Sequence, residues 1–270
     1  MSLSRRRTIA PWLMAALMSL WVTGCATTGT GSSSSREIVT ASDETDAARR
    51  ARVRLELASA YFAQGQFTTA LDEVKQALVA NPNMTAAYNL RALIYSSLGD
   101  QGLADESFRR ALQINANDAD TLHNYGWYHC QQKRYAEAAP LFAQALAQPQ
   151  YRDSARTLLA QGVCRAQAGQ WAEAEQSLQR AFELDPANLA TSVNLAEVLY
   201  RRGDYERARF YIRRVNSQAE VSNAQTLWLA TRIEHRAGNR QGASDLGTQL
   251  RNRFPQSREA AAYERGQFDD

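Results

Sequence analysis

The chain has 270 residues, 44% of them hydrophobic and 22% charged, which is ordinary globular composition with enough apolar material for a core. Its 31 Lys and Arg against 28 Asp and Glu give a net charge of +3, and Arg5, Arg6 and Arg7 account for that surplus. The remainder is balanced, so the broad basic field that neutralises nucleic-acid phosphates is missing and nucleic acid is excluded as a partner.

Behind Arg5 to Arg7 runs an apolar stretch from Ile9 to Val22, followed by Thr23-Gly24-Cys25. Basic residues, a short apolar run and small residues make up the layout of a secretory signal, and about 14 residues fall short of the roughly 20 that a membrane span needs. Val22-Thr23-Gly24-Cys25 resembles the lipobox at which bacterial signal peptidase II cuts before a diacylglyceryl-modified cysteine. That resemblance implies a signal peptide over 1–24 and a mature chain beginning at lipidated Cys25. The alternative is an uncleaved anchor or an ordinary signal peptide with an incidental cysteine. Residue 26 is Ala, where an Asp typically retains such lipoproteins in the inner membrane, so the implied destination is the periplasmic face of the outer membrane. Residues 26–35 are all small or polar. Such side chains cannot bury enough surface to offset chain entropy, and a flexible tether is expected over 25–45.

From Ala51 onward a period of 34 residues dominates. Counting Ala51 as position 1 puts Leu57, Ala58, Tyr61, Gly65, Phe67, Ala70, Ala77 and Pro82 at the diagnostic sites of the tetratricopeptide (TPR) consensus, which the segment resembles. The phase restarts at Thr85, Ala119, Ala155, Leu189 and Ala224, with two extra residues before the fourth unit and one before the sixth. Six units are therefore expected, over 51–84, 85–118, 119–152, 155–188, 189–222 and 224–257, within a repeat region spanning 46–257. Position 20 is Ala throughout: Ala70, Ala104, Ala138, Ala174, Ala208 and Ala243. Position 8 is small in five units and Thr231 in the sixth. Two helices crossing at close range require small residues there. Glycine at position 15 ends the first helix in the left-handed region, with Lys133 the exception. Pro82, Pro186 and Pro255 stop second helices; Ala116, Gln150 and Glu220 stand in the other units. The sixth unit is degenerate, with Glu234 in place of an aromatic and Gly247 in place of a bulky residue, as suits a solenoid end. Residues 258–270 are expected to hold a short closing helix and a tail. The fold class is thus all-α: a right-handed TPR superhelix of helix-turn-helix repeats with a short C-terminal helix and no strand.

The sequence offers little chemistry. His123 and His129 are six residues apart, about 240° around a helix, so with Cys130 they do not form a metal site; His129 falls at an aromatic packing position. No phosphate loop, nucleophile elbow or paired metal motif is present, and neither a catalytic residue, a cofactor nor a small-molecule substrate is expected. Cys130 and Cys164 occupy positions 12 and 10 of the first helices of neighbouring units, which pack side by side. Export makes a disulfide between them feasible, with two buried free thiols as the alternative.

First helices of a TPR array line a concave face. Its expected peptide-binding residues are Leu55, Ser59 and Phe62, then Asn89 and Leu93, then Asn124 and Trp127. This half is apolar with amide groups, suited to an amphipathic or extended peptide. The later units contribute Asn194, Glu197, Tyr200, Arg201, Trp228, Arg232, His235 and Arg236, a more basic set. Trp127 and Trp228 could instead fill gaps between helices. The lipobox, tether, six TPR units, the two cysteines in units three and four, and the ending Leu250-Arg251-Asn252-Arg253-Phe254-Pro255-Gln256-Ser257 together resemble the PilF/PilW family of type IV pilus biogenesis lipoproteins, or pilotins. Membership implies a non-enzymatic carrier that binds secretin subunits and, through its lipid, promotes their outer-membrane localisation and multimerisation. The alternative is a TPR lipoprotein adaptor for β-barrel assembly or for peptidoglycan enzymes.

Overall fold

The computed structural model describes residues 44–268. The expected signal peptide, Cys25 and all of the tether up to residue 43 lie outside them. Glu44 and Thr45, assigned to the tether on composition, are tied to the first helix instead. Arg52 donates to both carboxylate oxygens of Glu44 at 3.1 Å, and the Thr45 hydroxyl accepts from the Ala48 amide.

The described residues form helices and no strand. Six hairpins follow one another: α1 (Asp46–Ala63) with α2 (Phe67–Ala80), α3 (Thr85–Leu98) with α4 (Gln101–Ile114), α5 (Ala119–Gln131) with α6 (Tyr135–Leu146), α7 (Ser154–Gln167) with α8 (Trp171–Leu184), α9 (Leu189–Arg201) with α10 (Tyr205–Asn216), and α11 (Ala224–Arg236) with α12 (Arg240–Arg253). A short α13 (Arg258–Glu264) closes the array. The first helices begin at the expected phase in four hairpins and one residue early in α7, while α1 starts five residues before Ala51. Polar residues start many of the helices by accepting an exposed backbone N–H. Asp100, Asp118, Asn188, Asp204 and Ser257 do so, and Asn223 forms a reciprocal capping box with Thr226.

Each hairpin closes where the sequence keeps side chains small. Ala58, Ala92, Ala196 and the six alanines at position 20 are buried. At Gly162 an added methyl would stand 2.5 Å from Leu178 Cγ, and at Gly126 3.0 Å from the Phe142 ring. Thr231 is accommodated because its hydroxyl turns back to the Leu227 carbonyl at 2.8 Å. The turns hold Gly65, Gly99, Gly169, Gly203 and Gly238 at φ between 73° and 82°. Lys133 adopts the same left-handed conformation, φ 61°, and is the one non-glycine to do so among the described residues. Asn81 and Asp185, ahead of Pro82 and Pro186, leave the helical region as a residue preceding proline must. Asn115 does the same ahead of Ala116. Where the extra residues interrupt the period, α6 and α10 stop two positions earlier in the repeat and the chain crosses by longer loops.

Every first helix packs closely on the next first helix, α1 on α3 through to α11 on α13, whereas the backbones of successive second helices stand farther apart and meet through long side chains, as Arg207 of α10 reaches Glu175 of α8 at 2.7 Å. The first helices therefore lie on the inside of the curve and the second helices on the outside. At the C-terminal end α13 takes the place of a seventh first helix, contacting α11 and α12. The bulk absent at Gly247 comes from Tyr263 of α13, whose ring lies where a Cβ would stand. The sixth hairpin, read as a terminal unit, is thus itself capped. Its Glu234 is buried where an aromatic was expected, and accepts from Arg209, Arg213 and Asn239 at 2.8–3.0 Å. Burial works to raise its pKa, but these donors prevail and hold the carboxyl below its ordinary value.

Candidate peptide-binding groove

The inner face carries the residues singled out from the sequence, and the structure gives them unequal freedom. In the first three hairpins Leu55, Phe62, Asn89, Leu93, Asn124 and Trp127 are half-buried and Ser59 is exposed. Leu55 and Phe62 pack on the cluster of Ala58, Ala70, Val74 and Leu90, and the Phe62 ring lies 5.6 Å from that of Phe67. Phe62, at position 12, thus reaches both the groove and the start of the second helix and takes part in hairpin packing. Leu93 likewise packs on Phe108 and its neighbours. Asn124 and Asn89, on adjacent helices, hydrogen-bond each other at 3.2 Å, the Asn124 amide donating to the Asn89 carbonyl oxygen, which leaves three amide N–H groups and the Asn124 carbonyl oxygen of the pair for a ligand. The Ser59 hydroxyl donates to the Leu55 carbonyl of its own helix. Trp127 leans on the cluster of Cys130, Phe142 and Cys164, so its gap-filling role is visible along with a half-exposed surface.

Between the third and fourth hairpins the two cysteines are joined. Cys130 and Cys164 form a disulfide, with their Cα atoms 5.7 Å apart. Beside it, His123 Nδ1 lies 2.8 Å from the Thr157 hydroxyl, which lies 2.7 Å from the Tyr151 hydroxyl. Burial, helped by the nearby Arg156 and opposed by Asp153, pushes the His123 pKa down to about 4. His129 is buried against the Tyr125 ring at 4.3 Å, and its pKa is also lowered, chiefly by burial. Both imidazoles are neutral packing groups at neutral pH. No cluster of three or more His, Cys, Asp or Glu able to hold a metal occurs among the described residues.

The later hairpins present charge. Arg201 pairs with Glu197 at 2.9 Å, and His235 and Arg236 are exposed. Arg232 is buried, 3.3 Å from Glu197, with its guanidinium 4.9 Å from the Tyr200 ring and 5.9 Å from Trp228. A cleft of about 530 Å³ opens here, lined by Val193, Asn194, Glu197, Trp228, Leu229 and Arg232 among others. These fall at positions 5, 6 and 9 of α9 and α11, the groove positions.

Tetratricopeptide-repeat family models match residues 55–119 and 125–188, and a second such model matches 165–230. The chain is 28% identical to the type IV pilus assembly protein PilF of Pseudomonas aeruginosa over 243 residues, covering 90% of this chain and 93% of that protein. Its fold matches the crystal structure of PilW, described as a widely conserved type IV pilus biogenesis factor. That match has a TM-score of 0.72 and 32% identity, over 79% of this chain and 97% of PilW. The chain belongs to the PilF/PilW family. The structure of Pseudomonas aeruginosa PilF matches as well, with TM-score 0.73 and 25% identity over 82% of this chain and the whole of PilF. The family places the chain among type IV pilus biogenesis TPR proteins, and TPR arrays of this kind serve as protein-interaction scaffolds.

Proposed function

We propose that the chain is a pilotin: a lipoprotein anchored at the periplasmic face of the outer membrane that binds secretin subunits of the type IV pilus system and promotes their localisation and multimerisation. The reading rests on family membership over nearly the whole chain, joined to the lipobox ending at Cys25. The secretin segment binds along α1, α3 and α5, where Leu55, Phe62 and Leu93 supply apolar surface and the Asn89–Asn124 pair offers groups complementary to a peptide backbone. The carrier action comes from the tethered lipid, which brings a captured subunit to the membrane.

Purification of the chain from detergent-solubilised membranes, with identification of what accompanies it, tests the partner. Secretin is the expected companion; a β-barrel assembly factor or a peptidoglycan enzyme in its place overturns the reading. Cys25→Ser tests the anchor. It should leave the precursor uncut by signal peptidase II, unlabelled by palmitate and deficient in secretin multimers, and normal palmitate labelling would refute the lipid site.

A further inference from the structure

The inner face of the last two hairpins is partly filled by the chain itself. After α13 the backbone turns at Gly266, φ 67°, and Gln267 N–H bonds back to the Ala262 carbonyl at 3.0 Å. The turn delivers Phe268 onto the concave side. Its ring stacks on the His235 imidazole at 4.0 Å and 8°, with Trp228 at 5.5 Å and Tyr263 edge-on at 6.1 Å. The Phe268 carbonyl accepts from the Tyr200 hydroxyl at 3.3 Å. Side chains from α9, α11 and α13 thus converge on one aromatic ring and one backbone carbonyl, the two features by which a groove reads an extended peptide. The open cleft of about 530 Å³ shares Trp228 and with it continues the seat. Arg232 lines that cleft with Glu197 and Glu259, Arg201 pairs with Glu197, and the exposed Arg236 follows His235 on α11; in sequence Phe268 is followed by Asp269 and Asp270.

We propose that the concave face of hairpins five and six is a second peptide-binding site, specific for an extended segment of a partner protein that carries an aromatic side chain next to acidic residues, with the segment ending in Phe268 as its resident competitor. A tethered competitor acts at an effective concentration in the millimolar range, so a partner segment engages only when its local concentration or its affinity exceeds that of the tail. The adjoining cleft gives a partner more surface than the tail uses. This site is separate from the one assigned to secretin on α1, α3 and α5, and its test is independent of that assignment.

The probe is a fluorescently labelled peptide with the sequence of residues 265–270, Arg-Gly-Gln-Phe-Asp-Asp, titrated by anisotropy against the full chain and its Phe268→Ala variant. Phe268→Ala is expected to bind the peptide at least tenfold more tightly than the unaltered chain. A probe with Ala in place of Phe should lose at least tenfold, and one with both Asp replaced by Asn should bind more weakly and with a shallower salt dependence. A chain truncated after Gly266, with unchanged helical circular dichroism, should behave as Phe268→Ala does. Equal binding by Phe268→Ala and the unaltered chain, or equal binding of the Phe and Ala probes, overturns the proposal.

Discussion

The two halves of the inner face are built on the same helix-turn-helix frame and present opposite chemistry. Along α1, α3 and α5 the groove positions hold Leu55, Phe62, Leu93 and a pair of bonded asparagines; along α9 and α11 they hold Glu197, Arg201, Arg232, His235 and Arg236. Positions 8 and 20 are nearly uniform across both halves because backbone approach leaves them no room, as Gly162 against Leu178 demonstrates. Groove positions carry no such constraint. One scaffold can therefore offer an apolar face at one end and a charged, aromatic face at the other, divided by the seam between the third and fourth hairpins where Cys130, Cys164 and His123 lie.

Cutting that seam should have the largest effect on the relation between the halves. On the loop-entropy account a disulfide closing a loop of this size, 34 residues apart in sequence, stabilises by about 4 kcal/mol. Reduction, or Cys130→Ala with Cys164→Ala, should lower the thermal midpoint by several degrees and make the array melt in two steps. A melting curve indifferent to reductant would mean that the two halves are held together by packing alone.

Acid should loosen the same seam by a smaller amount. The His123 pKa of about 4 in the folded chain lies below the ordinary 6.5, so protonation favours unfolding. Its stabilising contribution is fully present above pH 6.5 and is lost as pH falls towards 4, by about 2 kcal/mol at pH 5 and about 3 kcal/mol at pH 4. Denaturant midpoints at pH 7.5 and 5 should differ accordingly, and His123→Gln should remove most of the difference. Part remains, because His129 shifts in the same direction. A full pH dependence in His123→Gln would place the acid sensitivity elsewhere.

The smallest effect concerns the third turn, the single one without glycine. Lys133 pays a steric cost for its left-handed backbone, and Lys133→Gly should stabilise by about 1 kcal/mol. No gain, or a loss, would show that the lysine side chain contributes more than its backbone strain costs.

These regions also differ in how legible they were. The hairpins could be read from the sequence because alanines at position 20 and glycines at position 15 recur at fixed phase and have local causes. Most features that depend on one element meeting another could not, the Cys130–Cys164 pairing of neighbouring first helices being the exception. Gly247 looked like a defect of the sixth hairpin, yet its space is filled by Tyr263, sixteen residues on and outside the period. Arg232 read as a groove charge, yet contacts with Tyr200, Trp228 and Glu197 bury it. Asn89 and Asn124 fall at different repeat positions, and only the offset between α3 and α5 brings their amides together. The return of Phe268 onto His235 has no periodic signal at all. The wide turn at Gly266 was the one local cue.

The central claim is that secretin is held by the apolar half. It is tested most directly by measuring secretin capture and multimer yield for Phe62→Glu, with Leu93→Glu as a second apolar-half variant, against Arg236→Glu at the other end. Desolvating a new carboxylate against an apolar ligand costs on the order of 2 kcal/mol or more, at least a tenfold loss of affinity. Because Phe62 also packs on Phe67, helical circular dichroism must be retained for the comparison to count. The account predicts lost capture for the two apolar-half variants and near-normal capture for Arg236→Glu. Normal capture by both apolar-half variants together with loss in Arg236→Glu would move the secretin site to the charged half and contradict it.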